Sequence, residues 1–256
     1  MTAAVAFSLF STLFLLSMQG VSARSVEIGA TGSQHDNMQA VLDNLDYEYT
    51  EINKEDLSNY EEINQYDVIF VNCAEGLETA AEEAAETGSI EKFVEKGGFL
   101  YTSDFAYTFI EQCMPGYVDF IGKKGDAGNV EAEVVDSNLE QYLENDTISL
   151  YFDKDGWVPV DSIDEEVTTY VRGEVSWSEG SGDKPLVIGF DHGEGGVVYT
   201  SFHHAAQGKN AAALMEYLAE LTISGGEDDG GLPLMWIGLG IIIVLLAIVL
   251  ILRRKI

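Results

Sequence analysis

Short apolar runs alternate with segments of helical spacing through the first half of the chain, an order that predicts strands and helices in turn. Ser25 to Ala30 reads as a first strand, with a turn of small residues over Gly29 to Gln34. Asp36 to Leu45 has helical spacing through Met38, Val41, Leu42 and Leu45. Tyr47 to Ile52 alternates as a second strand, and Asp67 to Asn72 is the continuous apolar run of a central parallel strand. Glu78 to Lys96 is expected to be helical and to end in a left-handed cap at Gly97-Gly98. Phe99 to Ser103 is the next strand, and Asp104 to Glu111 a helix stopped by Pro115-Gly116. This alternation predicts an α/β fold, flavodoxin-like, with a mostly parallel sheet and helices on both faces.

The second half is richer in strands. Val130 to Val135, Ser149 to Phe152 and Val167 to Val171 all read as extended. Pro185 to Phe190 and Val197 to Phe202 flank a glycine-laden turn, Asp191 to Gly196, which predicts a hairpin. Ala206 to Leu221 is a final amphipathic helix, and residues 224–231 form an acidic, glycine-rich tether.

The two ends read differently from the middle. Val5 to Leu16 is almost wholly apolar, and Val21-Ser22-Ala23 closes it with a small-x-small pattern, so residues 1–23 are expected to be a signal peptide. An uncleaved anchor is the alternative, because no basic residue precedes the run. Leu232 to Leu252 carries no charge and is long enough to cross a ~30 Å hydrocarbon core as a transmembrane helix. Arg253, Arg254 and Lys255 follow it, and such residues stay cytoplasmic. The expected layout is a single-pass protein of the cell membrane. Residues 24–223 form an extracytoplasmic domain, 224–231 a tether, 232–252 the membrane helix and 253–256 a cytoplasmic basic tail.

Charge narrows the choice of partners. All 44 acidic residues fall between Glu27 and Asp229, and three of the 13 basic ones lie in the tail, which leaves the outer domain at about −34. Such a surface repels nucleic acid and anionic headgroups. It suits solubility in salt, or loose binding of divalent cations. Cys73 and Cys113 are expected to be two separate buried thiols. One ends a strand, while the other lies about nine residues into a helix that starts beside that strand, roughly 13 Å along its axis. Asn145-Asp146-Thr147 is a glycosylation acceptor.

Ligands of open parallel sheets collect at the carboxyl ends of the strands. Three segments converge there: Asn72 to Gly76, Ser103 to Phe105, and Ser201 to His204. Asn72, Glu75, Ser103, Asp104, His203 and His204 are the candidate pocket residues. Adjacent histidines on an extended segment point apart, so His203 and His204 should not share an ion. A mononuclear site from His203, Asp104 and Glu75 is conceivable, with Asp191 and His192 near the last hairpin as further donors. Pocket lining or end capping is the simpler reading, and neither a metal nor a cofactor is expected. Asp153 to Gly156 has a fragment of calcium-loop spacing but lacks the later glutamate, and reads as a turn. Phe99, Tyr101, Phe105, Tyr107 and Phe109 read as core more readily than as a stacking platform for sugars.

Tyr66 to Val71, Phe93 to Leu100 and Gly196 to His203, in this order and spacing, resemble the class I glutamine amidotransferase-like superfamily. Within it they are most similar to the trehalose-utilisation-protein-like (ThuA-like) branch. The resemblance implies a nucleophilic cysteine at the strand-to-helix elbow, where this chain has Asp104, which also reads as an ordinary N-cap. It implies that His203 is the partner histidine. The glutamate that follows two residues later is replaced by Ala205, so the orienting group is missing. Cys73 leaves the wrong strand to stand in for the nucleophile. The reading that follows is a non-catalytic domain that binds a small ligand or a cell-envelope protein. Two alternatives stay open: a divergent hydrolase, for example a carbohydrate-related one, using His203 with Asp104 or Glu75, and a cation-dependent envelope or adhesion module.

Overall fold

In the computed structural model, which describes residues 26–227, the apolar runs become strands in the expected order. β1 (Ile28–Thr31) leads through α1 (Gln39–Asn44) to β2 (Thr50–Ile52), and α2 (Tyr60–Ile63) leads to β3 (Val68–Val71). α3 (Leu77–Thr87) and α4 (Ser89–Glu95) precede β4 (Phe99–Ser103), and α5 (Tyr107–Cys113) follows it. The single helix expected from Glu78 to Lys96 is two, because Gly88 takes φ +66° and ends the first. A left-handed residue cannot continue a right-handed helix. Cys73 and Cys113 are both free and buried, as the helix geometry required.

The second half runs β5 (Val118–Phe120), β6 (Gly128–Val134), α6 (Ser137–Leu143), β7 (Thr147–Phe152) and β8 (Val160–Ile163). It continues with β9 (Thr168–Trp177), β10 (Gly180–His192), β11 (Gly195–Thr200) and α7 (Lys209–Glu227). Four of these elements escape the periodicity: α2, α6, β5 and β8. In α6 only Leu139 is buried, so no apolar stripe marks it, although Asp136 caps the backbone N–H groups of Asn138 and Leu139.

Nine strands form one sheet in the order β2-β1-β3-β4-β11-β10-β9-β6-β7, and β5 pairs with β8 apart from it. The first five are parallel, in a flavodoxin-like order, with apolar clusters on both faces. Along β4 the alternation is direct: Tyr101 packs into one cluster and Leu100 into the other. The last four are antiparallel, so the sheet is mixed, with parallel and antiparallel pairings equal in number. The reason shows in β7, whose residues alternate between exposed and buried, the mark of a strand solvated on one face.

The β10–β11 turn places β11. Gly193 takes φ +67° at the first of the two turn residues, as a type II′ hairpin requires. A Cβ on Gly195 would collide with the Gly98 carbonyl oxygen, so this corner packs directly on the backbone entering β4. The resulting register sets Gly196 beside Phe99 and Thr200 beside Ser103. Whatever follows β11 therefore emerges next to whatever follows β4.

α7 carries through Glu227, so residues 224–227 of the expected tether are helical. The signal peptide, the membrane segment Leu232 to Leu252 and the basic tail lie outside the described residues. Among the described residues no helix is long and apolar enough to cross a membrane.

Candidate active-site constellation at the sheet crest

The carboxyl ends of β3, β4 and β11 meet as the sheet order dictates. After β3, the Asn72 amide donates to the Thr31 carbonyl at 2.6 Å and to Gln39 Oε1 at 2.8 Å, and it accepts from Met38 N at 2.9 Å. Asn72 is thus a fastener between β1, α1 and β3, with its hydrogen-bonding capacity directed into the scaffold. Ser103 plays a similar part, its hydroxyl oxygen accepting from Cys73 N at 3.1 Å. Together these bonds hold Cys73 at the crest.

β4 turns into a 3₁₀ segment at Asp104, which takes φ +44°, a left-handed conformation that few non-glycine residues adopt. The N-cap reading of Asp104 fails. Ser103 occupies the cap position, and the Asp104 side chain makes no cap bond. Its carboxylate is instead aimed across the crest at His203, with only 5% of the residue exposed. Strain of this sort costs on the order of 1 kcal/mol and concentrates at functional sites.

His203, 4% exposed, lies between two carboxylates. Its Nε2 is 2.8 Å from Asp104 Oδ2 and its Nδ1 is 2.7 Å from Asp153 Oδ1. The first contact has ion-pair distance without hydrogen-bond alignment, while the second is a well-formed hydrogen bond. Cys73 Sγ stands 3.7 Å from Asp104 Oδ2, and one donor atom from each of Cys73, Asp104 and His203 falls within 4.8 Å of the others. The His35 ring approaches His203 at 6.3 Å between centroids, and Lys154 Nζ meets His35 Nδ1 at 3.1 Å. Asp36, buried beside them, accepts from Ala205 N at 3.1 Å.

These neighbours set the protonation of the group. Burial alone would lower the imidazole pKa, but the Asp104 carboxylate and Cys73 beside it push His203 up to about 11. Burial raises the Cys73 thiol; contact with His203 opposes this, and the Asp104 charge adds a smaller upward push. His204 is lowered by burial, against the pull of Asp36. Both shifts act against a thiolate–imidazole pair, since the thiol is harder to ionise and the imidazole holds its proton more firmly.

The sequence-predicted candidates divide accordingly. Asp104 and His203 meet; His204 does not join them, its Nδ1 being buried without a protein partner. Glu75 is exposed, and its backbone bonds to Gln34 and Lys54 place it outside the constellation, so it partners neither His203 nor Asp104. Asp191 and His192 are also elsewhere. They sit at the opposite end of β11, about 20 Å away by strand length, where His192 Nδ1 meets Tyr117 OH at 3.1 Å. Asn145 lies in an exposed turn, accepting from Thr147 N. Of the aromatic residues, Phe99, Tyr101 and Phe109 are core, while Phe105 is 41% exposed.

Two corrections concern chemistry. The orienting carboxylate that Ala205 cannot supply is present, contributed by Asp153 from the end of β7. Cys73 does leave a different strand from the elbow, yet its sulfur reaches the same point. The calcium-loop fragment is the one local signal at Asp153, and only the folded sheet connects it to His203.

The architecture, a five-stranded parallel unit extended by four antiparallel strands, is an α/β fold similar to that of a solved ThuA-like protein. No protein-family model matches the chain, and no curated protein sequence matches it. Solved structures do. A ThuA-like protein from Bacteroides uniformis superposes with a TM-score of 0.51 at 13% identity, covering 78% of this chain and 93% of that one. A GMP synthase component from Thermoplasma acidophilum gives 0.51 at 10%, with coverages of 77% and 94%. PurLQS from Thermotoga maritima gives 0.53 at 12%, with 76% and 99%. Identities this low show a shared fold and nothing finer.

Proposed function

We propose that residues 24–223 form a membrane-anchored, extracytoplasmic binding domain that has left amide hydrolysis behind. What supports this reading is the elbow itself, where the Asp104 carboxylate stands 2.8 Å from His203 Nε2 and raises the proton affinity of that imidazole. Acyl transfer by a cysteine needs a thiolate and an oriented base, and this arrangement supports neither. The net charge favours a cationic ligand or partner over an anionic one. The anchoring part of the proposal rests on Leu232 to Leu252 with the cations behind it. Purified full-length chain, assayed in detergent against glutamine, simple amides and aryl glycosides, is expected to show no turnover. Turnover abolished by Asp104→Ala or His203→Ala would contradict the reading.

A second reading is favoured by one specific observation, the strained φ of +44° at Asp104. It makes Asp104 the nucleophile of a divergent hydrolase. Attack by the carboxylate would expel the leaving group, which takes the proton from the His203 imidazolium; the discharged Asp104 ester then leaves a neutral imidazole to activate water. Its signature is a covalent substrate adduct on Asp104, trapped by acid quench during turnover and read by peptide mass spectrometry.

A further inference from the structure

We infer that Cys73, Asp104 and His203 are a three-donor site for a divalent transition-metal ion of the zinc class, the ligand of the binding domain proposed above. The inference rests on that reading for the role of the site, and on geometry for the site itself.

The donor set is the first ground. A thiol sulfur, an imidazole nitrogen and a carboxylate oxygen are the three ligand types that zinc accepts, at roughly 2.0–2.3 Å each. Tetrahedral ligands at those distances lie about 3.4 Å apart, edge to edge. Two of the separations, 2.8 Å from Nε2 to Oδ2 and 3.7 Å from Sγ to Oδ2, straddle that value. One donor atom from each of the three residues lies within 4.8 Å of the others, so side-chain rotation has to close the remaining difference to bring them onto one ion. The sulfur also decides the class of metal. Calcium and magnesium take oxygen ligands, and a thiolate selects against them.

The second ground is independent of spacing. Asp104 Oδ1 and His203 Nε2 are buried, and neither has a hydrogen-bond partner in the protein. Buried polar atoms are almost always satisfied. Asp104 Oδ1 is thus left without a partner, and Nε2 has only a poorly aligned ion-pair contact with Oδ2, on residues 4–5% exposed beside a buried sulfur, which marks a place suited to a ligand.

The third ground lies behind the donors. Metal-bound histidines commonly give their other ring N–H to a carboxylate, which fixes the tautomer and raises ligand basicity. Asp153 holds His203 Nδ1 in that way, at 2.7 Å. Ser103 positions Cys73 through the Cys73 backbone N–H, and the Asp104 backbone is fixed at φ +44°. Three protein donors leave a fourth tetrahedral position for an incoming group, the pattern of open rather than structural zinc sites.

The test uses full-length chain in detergent, stripped with a chelator and kept reduced without added thiols. It is expected to bind one equivalent of Zn²⁺ after desalting, and Co²⁺ is expected to give a thiolate-to-metal charge-transfer band. Cys73→Ser, nearly isosteric, should abolish the cobalt band while the circular dichroism stays native. Cys113→Ser, which alters the other buried thiol, should keep both signals. Asp153→Asn should retain stoichiometry but weaken Zn²⁺ about 10–100-fold. A native chain that binds no stoichiometric Zn²⁺, or a Cys73→Ser variant that keeps the cobalt band, overturns the site. Absence of both metal and turnover defeats this inference and leaves the binding-domain reading standing. Zinc-dependent hydrolysis does the opposite.

Discussion

The five parallel strands and the four antiparallel ones contribute to the crest in different ways. The parallel half delivers Cys73, Asp104 and His203 from the ends of β3, β4 and β11, where strand order alone makes them neighbours. The antiparallel half delivers Asp153 from β7, the outermost strand. In a flat sheet four strand steps of about 4.8 Å would put β7 some 19 Å from β11. The 2.7 Å contact between Asp153 and His203 shows that this gap is closed, as the ordinary twist of a sheet allows. Gln207 seals the contact, donating to the Tyr151 carbonyl at 2.8 Å and accepting from Tyr151 N at 3.0 Å. Phe152 adds an edge-on contact with Phe202. One half therefore builds the site by topology, and the other completes it by curvature.

Substitutions can weigh the two contributions separately. His203→Ala removes the group that both halves share and strands the buried Asp104 carboxylate. Breaking a buried pair in this way costs about 3–5 kcal/mol, which denaturant unfolding would register. A loss below about 1 kcal/mol would mean that the relay contributes little to cohesion.

The pH dependence should follow from the same pair. The folded pKa of His203, about 11, is above its unfolded value of ~6.5. The stabilisation is therefore fully present below pH ~6.5, declines above it and is gone once the pH passes the folded value. Thermal midpoints of metal-free protein should fall more steeply with alkaline pH in the wild type than in His203→Gln. Equal slopes would contradict the raised pKa.

A smaller effect is expected from the antiparallel side. Asp153→Asn weakens a charged hydrogen bond whose acceptor side chain is 27% exposed, and should cost about 1 kcal/mol. If it proves as damaging as His203→Ala, the two halves depend on each other more than the geometry indicates. Glu75→Ala, at an exposed position, should fall within about 0.5 kcal/mol of wild type.

The same contrast explains what the sequence can disclose. Val68–Val71 and Phe99–Ser103 are continuous apolar strands, and their order is enough to place Asp104 and His203 at one end of a sheet. The one local mark on Asp153 is the calcium-loop fragment, which reads as a turn and says nothing of His203, 50 residues away. Its role depends on how far a nine-stranded sheet coils, a property of all the strands together. Cys73 escapes for a different reason. The strand it leaves is not the elbow strand, yet a sulfur at the end of β3 is one strand spacing from an aspartate at the end of β4. Glu75 misleads in the opposite sense, because sequence proximity to Cys73 says nothing about the direction of its side chain.

The account turns on the charge state of one imidazole. Nitrogen-15 NMR of His203 in metal-free protein tests it directly. Both ring nitrogens are expected to stay protonated from neutral pH to well above pH 8, with His203→Gln removing the signal. A neutral ring that titrates near the ordinary value of ~6.5 would show that no carboxylate clamp exists at the crest.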